Sequence, residues 1–245
     1  MGNGKEELQV LFDLLDLALR SGYDLETIAE AYVRQGEAAN RDVIGSADAN
    51  AIEYARENGY DVLTSNTSAV KSNTELRNGK PLWMGLASQC VAVAVIHRNV
   101  GIAGVHVVTV NRNDIKSGIL RLLASGPEKF RQEMVRINEG GHEVMVASIV
   151  PPETRLIRVG DAVTQAATLY RQLSAGTGAS GPPWVGITGM NYGSVEEQRQ
   201  AADYARQVID ENFPGASTDI RIGLAGGVIY GGPQHPQFSR PAIVM

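Results

Sequence analysis

The sequence of 245 residues is poor in the side chains that form covalent or metal cross-links. It contains one cysteine, Cys90, and four histidines. A single cysteine excludes an intramolecular disulfide, and the scattered histidines provide no Cys/His cluster at zinc-ligand spacing. We therefore expect no metal site and no other cofactor. Cys90 must be explained either by packing or by the reactivity of its thiol.

Long apolar runs and excess positive charge are also absent. No stretch reaches the roughly 18 consecutive apolar residues of a membrane span, so none is expected. The first residues, 1–7, lack a basic region followed by an apolar one, and we expect no Sec-type signal. Export by a specialised secretion system stays open. The net charge of −5 offers no positive field to a phosphate backbone, and nucleic acid is not an expected partner.

The composition, 43% apolar and 20% charged, is that of a globular protein. Apolar residues at helical spacing over 8–18, and again from Leu25 after Gly22, predict a helical hairpin. A third helix is predicted over 46–58, and the polar stretch 64–80 is predicted to be a loop. The sequence thus predicts an α/β fold, with a mixed sheet or β-sandwich core flanked by helices. We expect a helical N-terminal extension over 1–80 and a main domain over 81–245.

The strongest apolar signal lies in residues 82–110. Two runs, 90–96 and 104–110, are separated by a turn-like segment and predict neighbouring strands. The pair Ser194 and Glu197 forms a capping box that opens a helix. Further helices are predicted at 115–123 and 127–138, and further strands at 60–63, 144–150, 184–188, 218–224 and 228–230.

Cys90 and His106 are the candidate reactive pair. Thiol chemistry on an amide needs a thiolate, a nearby base and donors for the oxyanion. Cys90 stands where a loop gives way to an apolar strand, and His106 lies inside the next strand, so a strand–turn–strand connection brings them together. Each residue alone also fits an ordinary core position. The other histidines are weaker candidates, since His97 falls at the turn, where solvent exposure is expected, and His142 and His235 have no evident partner.

The residues around this pair resemble a known signature. The run A-S-Q-C-V-A-V-A-V at 87–95, followed by G-I-A-G-V-H at 101–106, resembles the Gly-Ser-Cys-Val-Ala-Val run, glycine pair and histidine of the chemoreceptor glutamine deamidases. The cytotoxic necrotizing factor toxins share this Cys-His arrangement. The segments G-M-N at 189–191 and G-G-V-I-Y-G at 226–231 are similar to later parts of the family pattern. The resemblance spans roughly residues 82–232.

The resemblance implies roles for several residues. Cys90 would attack a glutamine carboxamide, His106 would act as base and acid, and the backbone N–H groups of Gln89 and Cys90 would bind the oxyanion. The threonine that orients the histidine in the chemoreceptor enzymes falls at Met84. The third group, which orients His106, is therefore either a backbone carbonyl, as in the necrotizing factors, or Ser88.

The function expected from the resemblance is cysteine-dependent deamidation of glutamine in a target protein, as a bacterial enzyme, toxin or effector. It implies a protein substrate with an exposed glutamine. The leucine stripe of residues 8–19, which the resemblance does not cover, fits a helix that docks a partner or one that packs on its own domain. The resemblance also implies action in a bacterial cytoplasm or, after export, in a target cell. A transglutaminase, a thiol protease and a non-catalytic adaptor with a structural cysteine are the alternatives. A Gly-rich segment at 176–181 precedes a strand, so nucleotide binding is not expected.

Overall fold

The computed structural model describes residues 3–85, 87, 90–110, 112–190, 193–224, 227–231 and 237–239. The fold is α/β, with N-terminal helices and two mixed sheets, as predicted. The chain forms two compact units, one of residues 1–43 with 110–154 and one of 44–109 with 155–245. This division differs from the predicted one at residue 80, because 110–154 group with the N-terminal helices and 44–80 with the sheets.

The first unit is helical. It contains α1 (Asn3–Arg20), the first part of α2 (Leu25–Asn58), α4 (Arg112–Ala124) and α5 (Pro127–Ile149). Helices α4 and α5 approach closely at Gly118, where a Cβ would stand 2.0 Å from the carbonyl oxygen of Ile149. The buried apolar core of this unit comprises Leu15, Ile28, Ala29, Val33, Ile119, Leu122, Leu123, Phe130, Ile137, Ile149 and Val150.

The second unit contains both sheets. One sheet has five strands in the order β2 (Thr67–Ser72), β5 (Gly101–Val108), β4 (Cys90–His97), β6 (Trp184–Gly189) and β7 (Ser217–Ile222). Its neighbours are antiparallel except β6 and β7, which are parallel and joined through α7 (Val195–Asn212). The other sheet has four strands in the order β1 (Asp61–Val62), β3 (Leu82–Trp83), β8 (Gly227–Tyr230) and β9 (Gln237–Ser239). The short α3 (Asn73–Asn78) and α6 (Pro152–Ser174) complete the elements.

Strand β4 is buried on both faces. Val91 and Val93 project to one face and Ala92 and Ala94 to the other, and all four are inaccessible to solvent. The alanine face packs in one core with residues of the four-stranded sheet. Residues 91–96 of the central strand are therefore apolar, which explains their continuous signal in the sequence.

Several sequence predictions of secondary structure were wrong. Residues 64–80 are not a loop but contain β2 and α3, and β2 is polar because it is an exposed edge strand. Residues 144–149 of the predicted strand 144–150 belong to α5, since a short apolar run does not distinguish helix from strand by periodicity. The segment 46–58 continues α2 instead of forming a separate helix. Helix α6 was not predicted, because two consecutive prolines after an apolar run also fit the end of a strand. In the structure Pro152 is the first residue of the helix.

Candidate active site

Cys90 begins β4, and His106 lies on the adjacent strand β5. In their antiparallel register Cys90 is opposite Val108, and Ala92 is opposite His106. Side chains alternate along a strand, so Cys90 and Ala92 project from the same face, and His106 projects from that face too. Cys90 and His106 are thus diagonal neighbours, a relation in which Cβ atoms stand roughly 7 Å apart.

His106 is held by a backbone carbonyl. Its Nδ1 lies 3.2 Å from the carbonyl oxygen of Leu63, and the side chain is 3% exposed. Burial lowers the pKa of His106, partly offset by the Leu63 carbonyl and the charge of Asp48. The imidazole is therefore neutral at physiological pH.

The contact with Leu63 selects one tautomer of this neutral ring. A carbonyl oxygen only accepts hydrogen bonds, so Nδ1 carries the proton and Nε2 carries a lone pair. Nε2 is buried and has no hydrogen-bond partner among the described residues. The thiol of Cys90 and the imidazole are consequently not hydrogen-bonded to each other. A buried acceptor without a partner is costly in a folded protein, so Nε2 is the unusual feature of this site.

The sulfur of Cys90 is instead close to Ser65, with Sγ 4.0 Å from Ser65 Oγ. The backbone N–H and the hydroxyl of Ser65 both donate to Asp48 Oδ1, each at 3.1 Å. Cys90 is partly accessible to solvent. A carboxylate on α2 is thereby linked to the cysteine through one serine.

The thiol of Cys90 is protonated at rest. Burial raises its pKa to about 11; a hydrogen bond donated by Ser65 would lower it, and the negative charge of Asp48 raises it. At neutral pH only about one molecule in ten thousand would carry a free thiolate. A nucleophilic role therefore requires a base that takes the thiol proton during the reaction, and an unprotonated His106 Nε2 is such a base.

Gly85 leaves space for the hydrogen bond between His106 and the Leu63 carbonyl. Its φ is +67°, and a Cβ there would lie 2.6 Å from the Leu63 carbonyl oxygen and 3.3 Å from His106 Nδ1. Any larger residue would press on the hydrogen bond that sets the tautomer. Gly85 thus supports the site through its lack of a side chain.

Met84 packs and does not orient the histidine. It is fully buried, and a Cβ on Gly104 of β5 would lie 2.5 Å from its sulfur. The Leu63 carbonyl occupies the orienting position, which is the carbonyl alternative that the sequence left open. Ser88, the other alternative, and Gln89, a candidate oxyanion donor, lie outside the described residues. The carbonyl of Cys90 accepts from Met190 N at 3.0 Å, which fixes the cysteine peptide at its β6 side.

The prediction that His97 is exposed to solvent was wrong. It is 5% exposed, its Nε2 lies 3.2 Å from the carbonyl oxygen of Ser180, and its Nδ1 accepts from Asn99 N at 3.2 Å. Both ring nitrogens are therefore bonded, as expected of a structural histidine. The side chain of His142 and all of His235 lie outside the described part of the chain.

Sequence reasoning missed Asp48, Ser65 and the Leu63 carbonyl. Ser65 lies 17 residues from Asp48 and 25 from Cys90, and Leu63 lies 43 from His106. Contacts at such separations leave no local pattern. The one available signal was Gly85 directly after Met84, because a glycine in a buried stretch often marks a close approach.

The described residues contain no group of three His, Cys, Asp or Glu side chains placed to hold a metal ion. None of the helices in the described ranges has the length and apolar character needed to cross a bilayer. No protein-family model, curated protein or solved structure matches the chain. The resemblance to the glutamine deamidases thus depends on the motif residues themselves.

Proposed function

We propose that this protein is a cysteine-dependent amide hydrolase that converts glutamine side chains of a target protein to glutamate. One observation carries the proposal: His106 is held by the Leu63 carbonyl in the tautomer whose Nε2 is a base. This nitrogen has no partner among the residues that the structure describes, and the ring lies on the sheet face that carries Cys90. The resemblance of residues 82–232 to the glutamine deamidases supports the choice of substrate.

In the first half of the proposed reaction, the proton of the Cys90 thiol moves to His106 Nε2. The sulfur attacks the carboxamide carbon of glutamine, and the carbonyl becomes an oxyanion that the backbone N–H groups of Gln89 and Cys90 are proposed to bind. The charge of Asp48 raises the pKa of His106 against the effect of burial, so it favours the imidazolium. That imidazolium then gives its proton to the amide nitrogen, the C–N bond breaks, and ammonia leaves behind a thioester.

In the second half, His106 takes a proton from water, and the resulting hydroxide attacks the thioester carbon. The C–S bond breaks, the thiol regains its proton from His106, and glutamate is released. No cofactor enters these steps. An amine in place of water would make the reaction a transglutamination, and a peptide carbonyl in place of the carboxamide would make it proteolysis.

The N-terminal helices are the surface that we propose for docking of the target protein. Val10, Leu14 and Leu17 of α1 are more than half exposed, and a groove of about 290 Å³ is lined by Leu14, Leu15, Ala18, Tyr23, Thr27, Ile28, Ala31 and Tyr32. The proposed site of action is a bacterial cytoplasm, or a target-cell cytoplasm after specialised export.

The test compares wild-type protein with Cys90→Ala and Cys90→Ser after incubation with a native bacterial lysate. Mass spectrometry would report glutamine-to-glutamate conversion as a gain of about 1 Da without cleavage or cross-linking. Both variants should lose this conversion by at least about a thousandfold, because the nucleophile is gone. Full conversion by Cys90→Ser would refute the mechanism, and cleaved or cross-linked products would favour protease or transglutaminase chemistry.

A non-catalytic role is the second candidate, and one observation favours it: the thiol is protonated and contacts Ser65 instead of the imidazole. The rate at which iodoacetamide alkylates Cys90 at neutral pH distinguishes the catalytic role from the non-catalytic one. If His106 activates the thiol, His106→Asn should slow alkylation severalfold. If the cysteine is structural, His106→Asn should leave the slow rate unchanged.

A further inference from the structure

The contact between Asp48, Ser65 and Cys90 suggests a function of its own, and its catalytic meaning rests on the function proposed above. Ser65 has a single hydroxyl proton to donate. A carboxylate oxygen at 3.1 Å is a much stronger acceptor than a sulfur at 4.0 Å. The proton of Ser65 therefore points to Asp48, and the Ser65 oxygen presents its lone pairs toward the thiol.

We propose that Asp48 and Ser65 form a thiol clamp, in which Ser65 Oγ accepts the S–H of Cys90 and keeps the nucleophile protonated until His106 takes its proton. The two are positioning residues, since neither would touch the substrate carbon. In the described residues, the titratable groups that act on or lie beside the sulfur are Asp48 of α2 and His106 of β5.

The same carboxylate also positions the base. By accepting from both the backbone and the side chain of Ser65, Asp48 holds the turn that follows Leu63. Within this turn Thr67 N donates to the Thr64 carbonyl at 3.2 Å, and Asn66 Oδ1 accepts from Val108 N at 3.0 Å. The Leu63 carbonyl that selects the tautomer of His106 directly precedes this turn. One residue of α2 thus supports both members of the pair.

The experiment measures the rate of Cys90 alkylation by iodoacetamide from pH 7 to 11 in the full-length protein. Asp48→Asn keeps an amide oxygen to accept the Ser65 bonds and removes the charge. The midpoint should fall by about half to one pH unit, so that alkylation at pH 8 rises roughly three- to tenfold. Asp48→Glu, which restores the charge, should return the midpoint toward the wild-type value. Asp203→Asn, on the exposed side of α7, is the matched control and should shift nothing.

Ser65→Ala tests the direction of the hydrogen bond independently of Asp48, and it serves if Asp48→Asn does not fold. Loss of an accepting oxygen lowers the midpoint, because the protonated thiol loses a partner. A rise in the midpoint would mean that Ser65 donates to the thiolate, and it would overturn the clamp. An unchanged midpoint in Asp48→Asn with normal folding would also overturn it.

These measurements do not depend on glutamine hydrolysis. If the midpoints shift as expected but the lysate shows no deamidation, the clamp stands and the proposed function fails. If deamidation occurs and Asp48→Asn reduces it without a change in the alkylation midpoint, the function stands and the clamp fails.

Discussion

The hairpin of β4 and β5 carries a buried histidine near each of its ends, and the two rings are in opposite tautomers. His97, at the turn, accepts from Asn99 N through Nδ1, so its Nε2 carries the proton toward the Ser180 carbonyl. His106, near the open end, donates from Nδ1 to the Leu63 carbonyl, and its Nε2 has no partner in the described part of the chain. Burial is the same for both, at 5% and 3% exposure.

Burial alone therefore does not determine whether both nitrogens of a histidine form hydrogen bonds. Both ring nitrogens of His97 form hydrogen bonds, so its only lone pair is already used and the ring serves to stabilise the fold. His106 has a buried basic nitrogen with no partner among the described residues, at a cost that a purely structural position avoids. The comparison therefore supports the proposed role of His106 as the base.

Replacing each histidine with an amide should separate activity from stability, and it has the largest expected effect. His106→Asn retains a donor for the Leu63 carbonyl but removes the base, so glutamine conversion should fall about a hundredfold to ten-thousandfold. His97→Gln keeps a donor for the Ser180 carbonyl but loses the Asn99 contact. Its activity should stay within about threefold, while the free energy of unfolding drops by about 1–3 kcal/mol. Mass spectrometry and urea titration provide the two readouts.

Nitrogen-15 shifts of the two rings provide the control for this comparison. The spectra should show a protonated Nδ1 in His106 and a protonated Nε2 in His97 at neutral pH. Finding the same tautomer in both rings, or equal losses of activity in the two variants, would remove the distinction between the ends of the hairpin.

A methyl group at Gly85 should lower the stability of the protein, because it would crowd the hydrogen bond between His106 and the Leu63 carbonyl. Gly85→Ala places a Cβ at positive φ and 2.6 Å from the Leu63 carbonyl oxygen, so we expect a loss of about 2–4 kcal/mol in stability. Gly176→Ala is the matched control, because φ there is +76° but the space around it is open. It should cost only about 1 kcal/mol. Similar losses in urea titrations of the two variants would show that the close approach at Gly85 has no effect of its own.

The sequence predicted the parts of the fold that have local signals. The apolar runs of β4 and β5 were recognisable because both faces of these strands are buried, and the capping box at Ser194 marked the start of α7. The edge strand β2 was missed because its exposed residues look like a loop. Helix α6 was missed because a proline can end one element or begin the next.

The candidate site could likewise be predicted only where its residues have local sequence signals. Cys90 and His106 lie in one hairpin, so strand pairing alone places them on the same face. The Leu63 carbonyl, Ser65 and Asp48 reach the site from other elements, and nothing in their own sequence segments indicates that. A backbone carbonyl in particular has no sequence signature, and the third group could be predicted only as an open alternative.

The last and smallest expected difference between the two ends of the β4–β5 hairpin is in the stability at alkaline pH, because only the end near His106 carries a thiol, that of Cys90. The pKa of Cys90 is about 11 in the folded protein, against an ordinary value of 9.0. A raised pKa contributes stability that is present below the ordinary value and is lost as the pH rises through the folded value. Between pH 9 and 11 the wild type should therefore lose about 2 kcal/mol more stability than Cys90→Ala. Taking the difference between the two proteins cancels the ionisation of tyrosines, such as the partly buried Tyr32, whose pKa is raised by burial to about 12. Urea titrations at several pH values would measure it, and parallel stability curves for the two proteins would show that the thiol ionises as easily in the folded chain as in the unfolded one.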